Sequence, residues 1–229
     1  FMFSKYWKIM KEEKLHAENK YFKGSKSFFH KNYNHLLLAQ LTKTDRSIND
    51  KKFISIIKSN NPDLIIVMGT CLIGKKIISL TKNVINLHTG LSPYYRGSYS
   101  NLWPIINKDY GYFGATVHKM SLGIDSGDII YTAQPKVDKD DTYGTINCKC
   151  IQIGTALVLK TIKIAKKDFI PSTKQWEKGK LYFDKNMNFF LAYKYIKNKR
   201  YFFSRYTYLD KKNKLPKIKI INSGKIKDV

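Results

Sequence analysis

Apolar residues fall in short runs separated by polar loops, and the runs switch between two periods. Phe3, Tyr6, Trp7, Met10 and Leu15 stand at near-helical spacing, which predicts an amphipathic packing helix, without a site, over residues 1–14. Between Asn19 and His35 the aromatic and lysine residues follow no clear period, so an irregular connection is expected there. Leu36 to Leu41 is a candidate buried strand, and Phe53, Ile54, Ile56 and Ile57 form the core face of a helix from about Asp50 to Ser59. Asn60-Asn61-Pro62 stops that helix and leads into Asp63 to Met68, a run expected to be a strand buried on both faces. Strand, helix and strand with a right-handed crossover make the unit of a doubly wound sheet.

Gly69 to Gly74 then precedes a short helix from Lys75 to Leu80, and Val84 to His88 reads as the next strand. Side chains alternate along a strand, so Asn86 and His88 point to one side at its carboxyl end, where open α/β sheets bind ligands. Asn101 to Ile106 is expected to be a helix over the sheet with Trp103 in the core. Gly114 to His118 is a strand, Leu122 to Gly127 a loop with Asp125 between two glycines, and Asp128 to Tyr131 a strand. An amide, an imidazole and a carboxylate can therefore converge. A polar loop, Asp138 to Thr142, caps a packed helix from Tyr143 to Ala165. Beyond Pro171 the pattern becomes aromatic and basic.

Composition narrows the function classes. A chain of 229 residues can bury the core of one domain with a small appendage. It has no apolar span long enough for a membrane and no signal-peptide layout, so a cytoplasmic protein is expected. Three cysteines without a Cys-x-x-Cys pair fit reduced thiols and give no metal site. The formal charge of +25 suggests nucleic acid, but its distribution speaks otherwise. Residues 1–60 carry 13 Lys/Arg against 5 Asp/Glu, residues 61–145 carry 8 against 7, and residues 146–229 carry 21 against 5. The central stretch is nearly neutral and the cations are mostly scattered lysines, so no nucleic acid is expected as partner; a basic surface still attracts anionic small molecules.

Two nearby signals fail, and a third has an ordinary alternative. Gly69 to Gly74 matches neither dinucleotide nor phosphate-loop glycine patterns. Gly90-Leu91-Ser92 begins like a nucleophile elbow, but Tyr94 stands where the second glycine belongs and Pro93 would distort the turn. His118, a lone histidine on a strand, has an ordinary role as a satisfied core residue.

The ordered set Asn86-x-His88, Ser92-Pro93-x-x-Arg96-Gly97 and His118 followed at seven residues by Asp125-x-Gly127-x-Ile129-Ile130 resembles the formyltransferases that use 10-formyltetrahydrofolate, over about residues 60–165. The resemblance implies an α/β, Rossmann-like formyltransferase fold: a mostly parallel central sheet flanked by helices, with a catalytic domain at 1–170, its first strand absent from the chain, and a basic aromatic extension at 171–229. It makes Asn86, His88 and Asp125 the catalytic trio. It matches Thr70, Cys71 and Leu72 to the backbone that frames the pterin, with an ordinary strand-to-helix turn as the alternative, and adds Leu122, Gly123 and Ile124 to the folate site. Tyr94, Arg96 and His118 border the acceptor; Arg96 alternatively pins the loop, and His118 alternatively supports the carboxylate. Where much of the family has His-x-Ser-Leu-Leu-Pro, this chain has His88-Thr89-Gly90-Leu91-Ser92-Pro93, a change beside the acceptor.

The implied chemistry is attack of a neutral amine on the formyl carbon, with no metal. Members acting on initiator methionyl-tRNA carry a larger carboxyl-terminal barrel, and those acting on glycinamide ribonucleotide an amino-terminal glycine loop. A nucleotide-linked amino sugar, of the dTDP-4-amino-4,6-dideoxyglucose type used in bacterial O-antigen and lipopolysaccharide synthesis, is therefore the expected acceptor. A homodimer, and tail aromatics that either stack on a base or form a subunit interface, complete the expectations, with a non-catalytic basic binding protein of the same fold as the competing class.

Overall fold

A computed structural model describes residues 4–33, 47–165 and 169–228. Its central sheet has six strands in the order β1-β2-β4-β5-β7-β8. β1 (Ile65–Val67) pairs in parallel with β2 (Val84–His88), and β4 (Ala115–Lys119), β5 (Ile129–Ala133), β7 (Lys219–Asn222) and β8 (Lys225–Asp228) continue it antiparallel. The expectation of a mostly parallel sheet is thus corrected for the described residues. The reason lies in the connections: only residues 120–128 separate β4 from β5, too few for a parallel crossover. The expected strand at Leu36 to Leu41 lies outside the described residues.

The run around Ile65 is a strand, but it is not buried on both faces: Ile66 is 40 % exposed and Met68 43 %. It is the outermost strand of the described sheet, with β2 on one side and a cavity against Val67 and Met68. β2 keeps the predicted alternation. Ile85 and Leu87 are buried in the core beneath helix α5 (Tyr143–Ala165), while Asn86 and His88 face the cavity. Each fully buried aliphatic side chain of this kind contributes about 1.5–3 kcal/mol.

Helix α1 (Ser4–Tyr33) runs through the stretch where an irregular connection was expected. Residues 19–33 lack an apolar stripe, but they contain no proline, and once a helix exists each added residue gains a hydrogen bond. Its buried Met10 and Ala17 stand two turns apart, and it packs on both α5 and α6 (Phe189–Lys211). Helices α2 (Lys51–Ser59), α3 (Lys75–Ile78) and α4 (Trp103–Asn107) lie where the pattern put them, with Trp103 buried.

The residues after Pro171 join the same body. β3 (Tyr95–Gly97) pairs in parallel with β6 (Lys180–Tyr182), a 3₁₀ turn follows at Asp184–Asn186, and the Asn188 side chain caps α6 by accepting from Leu191 N at 3.0 Å. Tyr195, Phe202, Phe203 and Tyr206 of α6 are buried; Phe202 stacks on Tyr110 at 4.7 Å and meets Phe113 edge-on at 5.6 Å. These four rings are core rather than a base-stacking or subunit surface. No helix among the described residues is long and apolar enough to cross a membrane.

Candidate active site

The carboxyl end of β2 delivers Asn86 and His88 to the cavity, β4 delivers His118 beside them, and the β4–β5 loop returns Asp125. The β4–β5 ladder shifts register between Val117 and His118, a local irregularity that re-aims the histidine. Asp125 has φ +44°, a left-handed conformation that costs a non-glycine residue about 1–2 kcal/mol. Two donors and two neighbouring imidazoles offset that cost. Asp125 Oδ1 accepts from Asn86 Nδ2 at 3.1 Å and lies 3.3 Å from His118 Nε2; Oδ2 accepts from the Gly97 amide at 2.8 Å and lies 3.3 Å from His88 Nδ1. Gln175 Nε2 holds the same loop by donating to the Asp125 and Gly127 carbonyls at 2.7 and 3.0 Å.

Burial alone would raise the Asp125 carboxyl, but His88, His118 and the Gly97 amide hold it well below the usual carboxylate range. It is a fixed anion with both oxygens engaged. Burial pushes His88 the other way, below an ordinary histidine, against the pull of Asp125. His88 Nε2 lies 3.1 Å from the Tyr95 carbonyl, which can only accept, so that nitrogen carries the proton and Nδ1 is the basic one. A proton arriving at Nδ1 forms an imidazolium beside a carboxylate already in place.

The tautomer of His118 follows in the same way. Its Nδ1 lies 2.8 Å from the Lys119 carbonyl and so donates, which leaves Nε2 of the neutral ring to accept from Asn86 Nδ2 at 3.1 Å. Asn86 then gives one hydrogen to Asp125 and the other to His118. The second is the one that can turn to an incoming oxygen, because withdrawing the first would strip a donor from a buried carboxylate.

Two glycines permit this packing. Gly97 has φ +86°, and a Cβ there would lie 2.0 Å from the Tyr182 carbonyl; bare, it presents its amide to Asp125. A Cβ on Gly90 would lie 2.2 Å from His88 Nε2 and 2.4 Å from Ser100 Cβ. The glycine that stands where much of the resembled family has serine is thus the floor on which the His88 ring rests.

The cavity measures about 590 Å³, a size suited to small-molecule ligands. Thr70, Cys71 and Leu72, and likewise Leu122, Gly123 and Ile124, line it together with Asn86, His88, His118 and Asp125. Leu72 and Leu122 are 66 % and 69 % exposed, apolar surface on two separate loops of the same cavity. Tyr94 and Arg96 do not line it. The Tyr94 hydroxyl accepts from the Lys219 amide at 3.0 Å and its ring packs on Tyr112 and Trp176. Arg96, 7 % exposed, reaches the Gly179 carbonyl at 3.4 Å and so ties β3 to the segment entering β6. Sequence reasoning missed Lys14, Tyr99, Tyr143, Asn147 and Asp184, which also line the cavity. They come from elements up to 170 positions apart and carry no local signal.

A family model described as formyl transferase matches residues 11–162. The chain belongs to the formyl transferase family. Over 145 residues it is 37 % identical to a methionyl-tRNA formyltransferase of Halothermothrix orenii, a match covering 62 % of this chain and 45 % of that one. A second methionyl-tRNA formyltransferase, of Clostridium tetani, is 34 % identical over 136 residues, 58 % of this chain and 44 % of that one. The chain thus matches less than half the length of these curated relatives. Among solved structures, a formyltransferase from Anoxybacillus kamchatkensis in complex with UDP-4,6-dideoxy-4-formamido-L-AltNAc and tetrahydrofolate superposes with a TM-score of 0.51 at 25 % identity, covering 65 % of this chain and 72 % of that one. A 4-N formyltransferase from Francisella tularensis, at 24 % identity and a TM-score of 0.56 over 71 % and 63 % of the two chains, shares the fold. Within this member of the formyl transferase family the match contains Asn86, His88, His118 and Asp125, whereas Gln175 and Asp184 lie beyond it.

Proposed function

We propose that the chain moves the formyl group of 10-formyltetrahydrofolate to the amine of a nucleotide-linked amino deoxysugar, of the dTDP-4-amino-4,6-dideoxyglucose type. The observation that carries the reaction is the convergence of Asn86, His88 and Asp125 on one cavity, with the Asp125 anion held by Asn86 Nδ2 and the Gly97 amide between two imidazoles. The loops at Thr70 to Leu72 and Leu122 to Ile124 take the pterin through backbone groups and exposed leucines. The acceptor nitrogen attacks the formyl carbon, and the carbonyl π pair becomes an oxyanion that receives the Asn86 hydrogen otherwise given to His118. The proton lost by the amine goes to His88 Nδ1, where Asp125 stabilises the imidazolium. Collapse of the intermediate breaks the bond to N10 of the folate, and the same proton passes to that nitrogen, giving formamide and tetrahydrofolate. Asp125 acts as a fixed counter-charge and not as the base.

The amino-sugar acceptor draws support from the solved relative with a formamido nucleotide sugar; its product would feed surface-polysaccharide synthesis of the O-antigen kind. Methionyl-tRNA is the second reading, favoured by the names of the relatives at 34–37 % identity and by the 21 Lys/Arg against 5 Asp/Glu after residue 145. The test supplies 10-formyltetrahydrofolate with a panel of nucleotide-linked amino sugars, methionyl-tRNA and glycinamide ribonucleotide, and measures tetrahydrofolate release. Turnover with a sugar nucleotide supports the first reading, and turnover confined to either of the other acceptors refutes it.

A further inference from the structure

Beyond the reacting groups and the two folate-side loops, the cavity continues along a wall built by Lys14 of α1, Tyr99, Tyr143 and Asn147 of α5, and Asp184 of the 3₁₀ turn. The wall is held firmly. A Cβ on Gly144 would lie 3.0 Å from Lys14 Cα, so α1 and α5 are in backbone contact where Lys14 enters the cavity. At the adjacent residue, Tyr195 and Lys199 of α6 hydrogen-bond to Glu13, and the Tyr195 hydroxyl accepts from the Tyr143 amide at 2.9 Å. Three helices are therefore locked together behind this wall. The cation on it is weakly engaged: Lys14 Nζ lies 3.5 Å from Glu18 one turn away, both half-exposed, and such a pair contributes only about 0.2–0.5 kcal/mol. A ligand bearing more negative charge than one carboxylate displaces that partner at little cost.

We infer that this wall is the acceptor subsite and that Lys14 binds the diphosphate of a nucleoside-diphosphate sugar there. The inference rests on the proposed formyl transfer and adds the residue that reads the anionic part of the acceptor. Tyr99 supplies a face for a sugar ring with the buried Tyr143 behind it, while Asn147 and Asp184 supply partners for its hydroxyls; Tyr143 is held neutral by burial. The carboxylate of Asp184 repels phosphate and leaves the Lys14 side as its place. Lys8 offers an internal control: it lies on the same helix, pairs with Glu12 at 3.8 Å in the same i, i+4 manner, and does not line the cavity.

The test uses Lys14→Met, Lys14→Arg and Lys8→Met in the full 229-residue chain. Calorimetry measures binding of dTDP, UDP and, separately, 5-formyltetrahydrofolate, and steady-state assays measure acceptor KM and kcat. A charged hydrogen bond at a part-exposed site corresponds to about a tenfold change in affinity. Lys14→Met is expected to weaken dTDP or UDP about tenfold and to raise the acceptor KM alike, with folate affinity kept; Lys14→Arg restores binding and Lys8→Met binds as the parent does. No binding of either diphosphate to the parent, or equal binding in Lys14→Met and Lys8→Met, overturns the inference. If diphosphate binding depends on Lys14 yet no sugar nucleotide is formylated, the phosphate site stands and the proposed reaction falls. If formylation proceeds with an unaltered KM in Lys14→Met, the reaction stands and this inference falls.

Discussion

Replacing Asp125 by Asn separates the anion's catalytic work from its structural work. Each carboxylate oxygen faces a pair: Oδ1 accepts from Asn86 Nδ2 with His118 Nε2 3.3 Å away, and Oδ2 accepts from the Gly97 amide with His88 Nδ1 3.3 Å away. An amide keeps one acceptor and adds a donor, so its NH₂ must face one of these pairs. Facing Gly97 would oppose a backbone N–H that cannot turn. The amide therefore turns its nitrogen toward Asn86 and His118, where the neutral His118 ring accepts and only Asn86 is displaced into the cavity. The folding cost is one charge-assisted hydrogen bond, about 1.5–3 kcal/mol. Turnover suffers more, because the imidazolium formed on His88 loses its counter-charge, and losing one preorganised electrostatic stabiliser costs up to about a thousandfold in kcat. Thermal melting followed by circular dichroism should show a folded variant with a lowered midpoint. Single-turnover formylation should fall by up to about a thousandfold, equivalent to roughly 4 kcal/mol of barrier. A folded Asp125→Asn protein within tenfold of the parent would refute the assignment of Asp125 as the counter-charge.

Gly90→Ala places a methyl group 2.2 Å from His88 Nε2, so it should cost about 1–3 kcal/mol of stability and most of the turnover while leaving 5-formyltetrahydrofolate binding in place, as read by urea titration and calorimetry. The Asp125 carboxyl is lowered in the folded state, so its contribution is fully present above its unfolded value near 4 and fades as pH falls below that; the stability gap between parent and Asp125→Asn should shrink from about pH 4 downward in melts at stepped pH. Phe202→Ala empties a buried site between Tyr110 and Phe113 and should cost about 3–5 kcal/mol in denaturant titration, with the same kcat per folded molecule.

The convergence of Asn86, His88 and Asp125 was legible because it depends on short-range rules. Two residues apart on a strand put Asn86 and His88 on one face, and glycines around Asp125 let the loop close against them. The flanking glycines said that a tight approach occurs there; they did not say to what. The sheet was less legible, because a buried parallel strand and a half-exposed outer strand present similar apolar runs: Ile65, Ile66 and Val67 read as core, yet Ile66 is 40 % exposed. The short 120–128 connection argues for an antiparallel pair against the family expectation. The length of α1 escaped because periodicity detects a buried stripe, and a helix whose later turns are lysine and aromatic has none. Lys14 escaped for a related reason: a lysine next to a leucine on a packing helix has no mark that distinguishes a cavity wall from solvent.

That difference also explains why the comparisons agree on formyl transfer and divide on the acceptor. The groups placed at the reaction are drawn from Asn86 to Asp125, a compact stretch wholly inside the family match at 11–162. The wall assigned to the acceptor is assembled from α1, the turn after β3, the start of α5 and the turn after β6, and its last member, Asp184, lies outside that match. Overall identity counts every matched residue alike, so a chain can be 37 % identical to a methionyl-tRNA formyltransferase while its acceptor wall is set by a handful of side chains on helices and turns. A wall with one weakly engaged lysine, two tyrosines, an amide and a carboxylate has the donors, acceptors and flat faces for a sugar ring and a diphosphate. Binding an extended RNA would instead draw on many phosphate contacts spread along the surface, with a steep dependence on salt. Acceptor KM measured from 50 to 200 mM salt therefore discriminates: a shallow slope, the signature of a single Lys14–diphosphate contact, agrees with the sugar nucleotide, and a loss of about a thousandfold or more would assign the acceptor to RNA.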